Sequence, residues 1–170
     1  LDRPVPATTA IDAWLGPDKS HQDFVFGNTA VEIKSLSGAE RSTVRISSED
    51  QLESLNDALF LRIYRLNNLP EAEGARSLNA IVADVQVRLG EAEAVDAFDR
   101  KLVAYGYAPL PVYDEPTFVI GGVATYRVQE AFPRLARSQL STGITRVAYD
   151  IKLEAIAPYE CDGAAVFGGG

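Results

Sequence analysis

Three places in the sequence hold an acidic residue followed two positions later by a lysine: residues 32–34, 99–101 and 150–152. A carboxylate can bind a hard metal ion such as Mg²⁺ through oxygen, and a nearby ammonium group can stabilise negative charge on a phosphate. The same pattern also arises in ordinary ion pairs. The predicted secondary structure around each copy therefore has to distinguish between them.

Two of the three copies have an ordinary structural explanation. Asp99 and Lys101 fall inside a predicted helix, where residues two apart do not face each other. Asp150 and Lys152 fall on the polar side of a predicted strand, where exposed charges are the rule. We therefore expect no catalytic role for either pair.

The third copy lies in an otherwise apolar stretch. Glu32 and Lys34 sit two apart in a predicted strand, so both side chains project from one face. Gly27-Asn28 is a turn pair typical of a tight hairpin, which brings Asp23 back beside them. Two carboxylates and an ammonium group would then converge on one point. The alternative is an ion pair on an exposed sheet face, and the sequence gives the two interpretations about equal weight.

The composition excludes several classes of protein. The 170 residues are 46% hydrophobic and 24% charged, which fits one globular domain. One Cys and one His exclude a disulfide framework within the chain and a Cys/His zinc cluster, and they favour a cytoplasmic protein. No signal peptide or membrane-spanning apolar run is recognisable, so we expect no membrane contact. The net charge of −8 argues against strong, non-specific binding of nucleic acid.

The hydrophobic periodicity predicts an α/β fold with a central mixed β-sheet flanked by helices. Alternating or continuous apolar patterns predict strands at residues 23–26, 29–36, 43–47, 60–66, 117–120, 125–128 and 144–156. Apolar residues at helical spacing predict helices over residues 52–59, 78–89 and 95–105.

The predicted domain spans residues 14–156, after an irregular lead-in at 1–13 and before a flexible tail at 157–170. Ser48 and Gln51 fit a capping box at the start of the first predicted helix. Tyr105, near the end of the last one, is predicted to be a packing residue.

The motifs resemble those of a known superfamily. Asp23, eight intervening residues and then Glu32-x-Lys34 on a hairpin are similar to the core motif of the PD-(D/E)XK nucleases. The wider pattern resembles the bacterial DUF4420 family of that superfamily over residues 14–17, 22–26, 31–34, 44–48, 51–52, 126–128, 132–135 and 147–153. The resemblance implies a restriction-endonuclease-like core. Because members of the family occur near restriction–modification genes, it also implies a role in defence against foreign DNA.

The resemblance further implies metal-dependent hydrolysis of DNA phosphodiester bonds. Asp23, Glu32 and the backbone carbonyl of Ile33 would bind Mg²⁺ or Mn²⁺. Lys34 would orient the attacking water or neutralise the transition state. Gln51 would hold the nucleophile or a water molecule at the metal, and its alternative role, weighted equally, is the capping box.

Four arginines are candidate contacts to DNA phosphates: Arg41, Arg45, Arg127 and Arg134, with Arg137 close to the last of them. For each one, the alternative is a solvated surface position or a pair with one of the many carboxylates. The expected partners are DNA and, through the defence role, other restriction or defence subunits.

One feature of the family is missing. Its members carry a Gly-Glu-Leu motif on an upstream helix whose Glu joins the metal site, and nothing before Trp14 matches it. Because the sequence begins at Leu1 and contains no Met, we expect that helix to lie outside the present sequence. Three hypotheses stay open. They are a DNA endonuclease of a restriction-type system, an inactive nucleic-acid-binding or scaffold subunit on the same fold, and a partner-binding domain whose triad is an ion-pair cluster.

Overall fold

A five-stranded sheet forms the centre of the computed structural model, which describes residues 5–18, 20–38 and 42–167. The strands of the chain are β1 Phe24–Phe26, β2 Thr29–Ser37, β3 Thr43–Ile46, β4 Ala58–Asn67, β5 Val119–Arg127, β6 Tyr149–Lys152 and β7 Glu160–Cys161. The helices are α1 Ala7–Ala13, α2 Leu78–Leu89, α3 Ala92–Tyr105 and α4 Leu153–Ile156. The central sheet has the order β1-β2-β4-β5-β7, and β3 and β6 form a second, two-stranded sheet.

A tight hairpin joins β1 to β2. Gly27 in the turn takes a φ of +56°, a conformation that glycine adopts without steric cost. The register places Phe24 opposite Val31 and Phe26 opposite Thr29. Asp23, one residue before β1, therefore lies beside the middle of β2.

Strands β2 and β4 run parallel, whereas the other neighbouring pairs of the central sheet are antiparallel. Glu32 lies opposite Leu61, and Lys34 lies opposite Ile63. Leu61 and Ile63 belong to the main hydrophobic core. Because side chains alternate along a strand, Glu32 and Lys34 project from the face of the sheet that this core covers.

The opposite face of the sheet carries a smaller apolar cluster. Val31 of β2 and Phe60 of β4 pack there against Val166, near the end of the chain. The 3₁₀ turn Gly163–Val166 thus covers the back of the strand that carries Glu32, whereas β7 extends the sheet beyond β5.

Helices α1 and α3 pack together beside the β1 edge of the sheet, α2 packs against α3, and α4 follows β6 in the main core. Ser77 caps α2 by accepting a hydrogen bond from the Ala80 N–H at 3.1 Å. Ile11 of α1, Val82 of α2 and Phe98 of α3 form a third apolar cluster. In the part of the chain that the structure describes, no helix is long and apolar enough to cross a membrane.

The predicted α/β fold with a mixed central sheet is confirmed. Strands occur at the positions predicted for residues 23–26, 29–36, 43–47 and 60–66, with ends that differ by at most two residues. The helices predicted over residues 78–89 and 95–105 are also present. The segment that carries Glu32 and Lys34 is therefore a strand, as their placement on a shared face requires.

The helix predicted over residues 52–59 is wrong. Leu52, Leu55 and Leu59 have helical spacing, yet Leu52 is buried in a turn, Leu55 is fully exposed and Leu59 lies in β4. Without a helix there is no capping box: the Ser48 hydroxyl instead accepts a hydrogen bond from the Asp50 N–H at 3.2 Å. A short side chain that bonds its own backbone favours a turn over a helix.

Two strand predictions needed correction in length. The strands predicted over 117–120 and 125–128 are one strand, β5, which passes through two glycines and adjusts its register between Arg65 and Leu66 of β4. The strand predicted over 144–156 is only the four residues of β6. Its partner β3 is equally short, and Arg146 has a φ of 61°, which interrupts extended backbone before it.

Both predicted chain ends are also more regular than expected. The lead-in predicted as irregular over 1–13 contains α1, which begins directly after Pro6, and residues 1–4 lie outside the described residues. The tail predicted as flexible from 157 pairs through β7 with β5 and buries Val166. Residues 168–170 lie outside the described residues.

The turn at residues 49–52 predicts that two leucines three positions apart contribute very differently to the free energy of unfolding. Leu52→Ala removes a buried side chain from the main core and is expected to lower the free energy of unfolding by about 2–5 kcal/mol. Leu55→Ala is the matched control and is expected to change it by less than about 0.5 kcal/mol. Urea unfolding of both variants checks this. Similar losses in the two variants would restore the helix, in which both leucines share a buried face.

Candidate active site

The β1–β2 hairpin holds Asp23 against the backbone of β2. Asp23 Oδ2 accepts a hydrogen bond from the Ile33 N–H at 2.8 Å. On its other side, the Asp23 carbonyl accepts a hydrogen bond from the Leu15 N–H at 2.8 Å. Asp23 is thus held through its carboxylate by Ile33 and through its backbone carbonyl by Leu15. The second carboxylate oxygen, Oδ1, remains for another ligand.

Glu32 is a buried carboxylate, with 2% of its surface exposed. Lys34 Nζ lies 2.8 Å from Glu32 Oε1, and the side chain of Lys34 is 16% exposed. Burial raises the pKa of Glu32 to about 7; the charge and hydrogen bond of Lys34 act in the opposite direction, and the charge of Asp23 adds to the rise. The pair is therefore not the exposed surface ion pair that the sequence left open.

A turn after β3 completes the group. Gln51 Oε1 accepts hydrogen bonds from Lys34 Nζ at 3.0 Å and from the Ser47 N–H at 2.8 Å. Gln51 Oε1 thus gives the ammonium group of Lys34 a second fixed contact besides the one to Glu32. The structure brings Asp23, Glu32, Lys34 and Gln51 together, although Gln51 reaches them from a turn and not from the start of a helix.

Gln22 is a residue whose role the sequence did not reveal. It is buried, and its Nε2 donates hydrogen bonds to the carbonyl oxygens of Asp50 at 2.9 Å and Glu53 at 2.8 Å, with Gln51 at 3.4 Å. Gln22 directly precedes Asp23, so one segment positions a carboxylate and also the turn that carries Gln51. Its position beside Asp23 was the one feature of the sequence that could have indicated this role. Long-range hydrogen bonds leave no periodic pattern in the sequence.

The other side of the same turn is held by a buried carboxylate. Glu49 accepts hydrogen bonds from Arg137 at 2.6 Å and from the Val147 N–H at 2.8 Å. Bonds from its own backbone N–H and from that of Val147, followed by the charge of Arg137, lower the pKa of Glu49. Arg137 also pairs with Asp50 at 2.8 Å, and this contact lowers the pKa of Asp50. The turn is thereby tied to residues almost ninety positions further along the chain.

The other two acid-x-Lys pairs are structural or exposed, as predicted. Lys101 Nζ donates hydrogen bonds to the carbonyl oxygens of Ile11 and Trp14, and Asp99 accepts one from Gln86. Asp150 lies 3.5 Å from Arg45 on the surface. Lys152 lies 3.8 Å from the exposed Glu154.

The comparison with known families agrees with this arrangement. One family model, described as "Putative PD-(D/E)XK family member, (DUF4420)", matches residues 1–154. The chain belongs to the DUF4420 family. Searches of curated proteins and of solved structures gave no match. Membership confirms the resemblance, and with the α/β fold it indicates a nuclease-like architecture.

The predicted phosphate-binding arginines that the structure describes in this DUF4420 protein make contacts within the chain. Arg45 pairs with Asp150, and an Arg134 Nη1–H donates to the Leu52 carbonyl. Arg127 lies opposite Phe60 and over its ring, on the sheet face away from Glu32. Arg41 lies outside the described residues.

The oxygen donors near Glu32 suit a hard divalent cation. Among the described residues, no three of the types His, Cys, Asp and Glu are grouped to hold a metal. The two carboxylates at this place are Asp23 and Glu32, and the one acidic residue of α1, Asp12, is exposed. The N–H and C=O groups of a strand residue point to one side. Ile33, whose N–H bonds Asp23, thus also directs its carbonyl toward that carboxylate. Two carboxylates and one carbonyl would leave further positions to water, as Mg²⁺ prefers.

The raised pKa of Glu32 predicts how the stability of this DUF4420 protein depends on pH without divalent metal. The folded state binds the proton more tightly than the unfolded state, so this stabilisation is complete below pH 4.5 and lost as the pH rises through about 7. Glu32→Gln cannot ionise. Its free energy of unfolding minus that of the wild type is expected to grow by about 2–3 kcal/mol from pH 5 to pH 8, at about 1.4 kcal/mol per pKa unit.

Chemical unfolding in a chelator at several pH values measures this difference. Glu154→Gln is the matched control, because Glu154 is exposed and its replacement is expected to leave the pH dependence unchanged. A Glu32→Gln difference that stays constant with pH would show that Glu32 is ionised in the folded protein at pH 5.

The hydrogen bonds of Gln22 predict a local effect of its removal. Gln22→Ala leaves carbonyl oxygens of the 50–53 turn without their donor, so the bond between Gln51 Oε1 and the Ser47 N–H is expected to weaken. Amide hydrogen exchange at Ser47 should accelerate at least several-fold. Gln86→Ala, which removes an amide bonded to Asp99 elsewhere, is the control and should not affect it. Unchanged exchange at Ser47 in Gln22→Ala would mean that Gln22 does not position this turn.

Proposed function

We propose that this DUF4420 protein hydrolyses phosphodiester bonds of DNA with Mg²⁺ or Mn²⁺, as an endonuclease of a restriction or phage-defence system. The observation that carries the proposal is the connected group formed by the β1–β2 hairpin and the turn after β3. Lys34 contacts both Glu32 and Gln51 at hydrogen-bonding distance, and Asp23 is fixed to the neighbouring backbone at Ile33. Burial of such a group costs stability, so a role in binding or chemistry explains it better than surface charge does.

The two carboxylates provide the cation site. Asp23 Oδ1 and Glu32 Oε2 are the oxygens not used by the contacts to Ile33 and Lys34. When bound there, Mg²⁺ or Mn²⁺ would supply positive charge against the phosphate and lower the pKa of a water molecule. A cation would also favour the ionised form of Glu32, which burial disfavours.

Lys34 faces the reacting phosphate in this proposal. An ammonium group has three donors, and two of them point to Glu32 Oε1 and Gln51 Oε1. The third is left for an oxygen of the phosphate, where it would stabilise the negative charge that develops as water attacks phosphorus and the ester oxygen leaves. The two fixed contacts hold the ammonium group in place before substrate arrives, so little reorganisation is required.

The side-chain amide of Gln51 has two roles in this proposal, positioning through Oε1 and binding through Nε2. Its Oε1 is occupied by the Ser47 N–H and by Lys34. The Nε2 of the same amide is the group left to donate to a water molecule or a substrate oxygen. Gln22 holds this turn in register with the β1–β2 hairpin and therefore acts through Gln51, not on the substrate itself.

A second function is an inactive nucleic-acid-binding or scaffold subunit on the same fold. The observation that favours it is the small number of arginines left to contact DNA among the predicted ones that the structure describes. The net charge is −8, and Arg134 and Arg137 are engaged in bonds within the chain. Affinity for phosphate comes mainly from free cations, so other subunits of a defence complex would then supply the contacts to DNA.

Replacement of Lys34 tests the proposed hydrolysis. Lys34→Ala is expected to lower the rate of DNA cleavage with Mg²⁺ by a factor of about 10² to 10³, because one fixed electrostatic contact to the transition state is removed. Lys152→Ala is the matched control: Lys152 follows an acidic residue at the same spacing but is 73% exposed. It is expected to retain full activity and to lose less than about 1 kcal/mol of stability.

Thermal melts of both variants separate loss of activity from loss of fold. Equal cleavage by wild type and Lys34→Ala would contradict the role of Lys34. Absence of cleavage by the wild type, tested with any segment that precedes Leu1 and with partner subunits, would favour the scaffold function.

A further inference from the structure

An aromatic pair lies directly beside Asp23. The rings of Trp14 and Tyr105 are 6.0 Å apart between centroids and inclined by 48°. A Cβ placed on Gly16 would lie 3.6 Å from Tyr105 Cε2 and 3.7 Å from Asp23 Oδ1. Tyr105 and the Asp23 carboxylate therefore border the same small space, and glycine at position 16 keeps it open.

Trp14 is anchored to the hairpin that carries Asp23. It forms a β-bridge with Phe24, and its ring packs against Phe98 of α3 at 5.9 Å. Lys101 Nζ donates a hydrogen bond to the Trp14 carbonyl and also contacts the end of α1. The indole ring is thus a fixed support that joins α3 to the candidate active site.

Tyr105 has the opposite character. It is the last residue of α3, directly before Gly106, and 63% of its surface is exposed. The sequence predicted a packing residue, but the ring contacts Trp14 while most of the residue's surface is open to solvent. A large ring that is supported by a neighbour and exposed offers a surface on which another ring can stack.

An acidic protein can still bind nucleic acid through a stacking contact. Among the predicted phosphate contacts, Arg45 and Arg134 are bonded within the chain, and the net charge is −8. Stacking of a base on an aromatic ring does not depend on net charge and tolerates any base, because every base has a π-face. In duplex DNA the faces of the bases are already stacked, so a base becomes available only where the strand is unpaired or the base is turned out.

We propose that Tyr105, supported by Trp14, stacks an unpaired nucleobase next to the phosphate that Lys34 contacts in the proposed function. The substrate class is then nucleic acid with single-stranded character at the site of cleavage. This inference rests on the proposed function, since it names the substrate of the same site. Because Asp23 and Tyr105 border one space, a nucleotide whose phosphate lies at Lys34 can place its base, or that of its neighbour, on the Tyr105 ring.

Trp14 provides a local reporter, because it is the one tryptophan in the sequence. A short single-stranded deoxyribo-oligonucleotide of mixed sequence is titrated into the protein in a chelator, and Trp14 fluorescence and anisotropy of a labelled strand are recorded. We expect quenching of Trp14 by the single strand and much weaker binding of the corresponding duplex. Tyr105→Ala is expected to weaken single-strand binding by about 5- to 150-fold, the range that loss of one stacked base gives.

Two further samples distinguish stacking from a change in fold. Tyr105→Phe keeps the ring and is expected to bind as the wild type does, whereas a strand with abasic sites should bind the wild type as weakly as the normal strand binds Tyr105→Ala. Val103→Ala, an exposed substitution two residues earlier on α3, is the control and should not affect binding. Equal affinities of wild type and Tyr105→Ala, or no binding of the single strand by the wild type, would overturn the inference.

Cleavage assays separate this failure from failure of the proposed function. If cleavage depends on Lys34 but Tyr105→Ala binds and cleaves the single strand as the wild type does, the stacking site is rejected and the nuclease function stands. Base-dependent binding that Tyr105→Ala abolishes, without any cleavage, would support the stacking site and reject hydrolysis.

Discussion

The carboxylate of Glu32 lies on the face of the central sheet that the main core covers, opposite Leu61, with 2% of its surface exposed. Taking a charge out of water at such a position is costly unless a partner of opposite sign compensates it. Lys34 at 2.8 Å compensates in part, and the pKa of about 7 indicates how much remains. The proposed divalent cation would offset the remaining imbalance. The hairpin, the parallel β2–β4 pair and the following turn all serve to keep these charged groups in register.

The turn at residues 49–52 is the second element on which the site depends. Gln22 holds it from the β1–β2 hairpin, and Glu49 ties it to Arg137 and Val147. A helix at this place would use the same carbonyl oxygens for its own hydrogen bonds and leave none for Gln22. The turn can therefore present Gln51 to Lys34 only because segments distant in sequence meet there. Geometry at the ammonium group thus depends on the packing of the whole domain and not on the hairpin alone.

The sequence was sufficient for the hairpin and insufficient for the turn, for physical reasons. The short apolar run of β2 and the Gly27-Asn28 pair are local signals, so the shared face of Glu32 and Lys34 and the return of Asp23 could be predicted. The three leucines after β3 imitate a helix, because spacing does not reveal that one of them faces solvent. The bonds of Gln22 and Glu49 span roughly thirty to a hundred residues and have no periodicity. The exposure of Tyr105 likewise depends on how α3 ends against Trp14, which its apolar spacing does not show.

Titration calorimetry of Mn²⁺ tests the central claim most directly, at a pH above 7 where Glu32 is ionised. We expect the wild type to show a heat of binding that Asp23→Asn and Glu32→Gln both remove and that Glu154→Gln leaves in place, since Glu154 is an exposed carboxylate on the surface. The same heat in Glu32→Gln as in the wild type would contradict the claim that this carboxylate holds a metal ion.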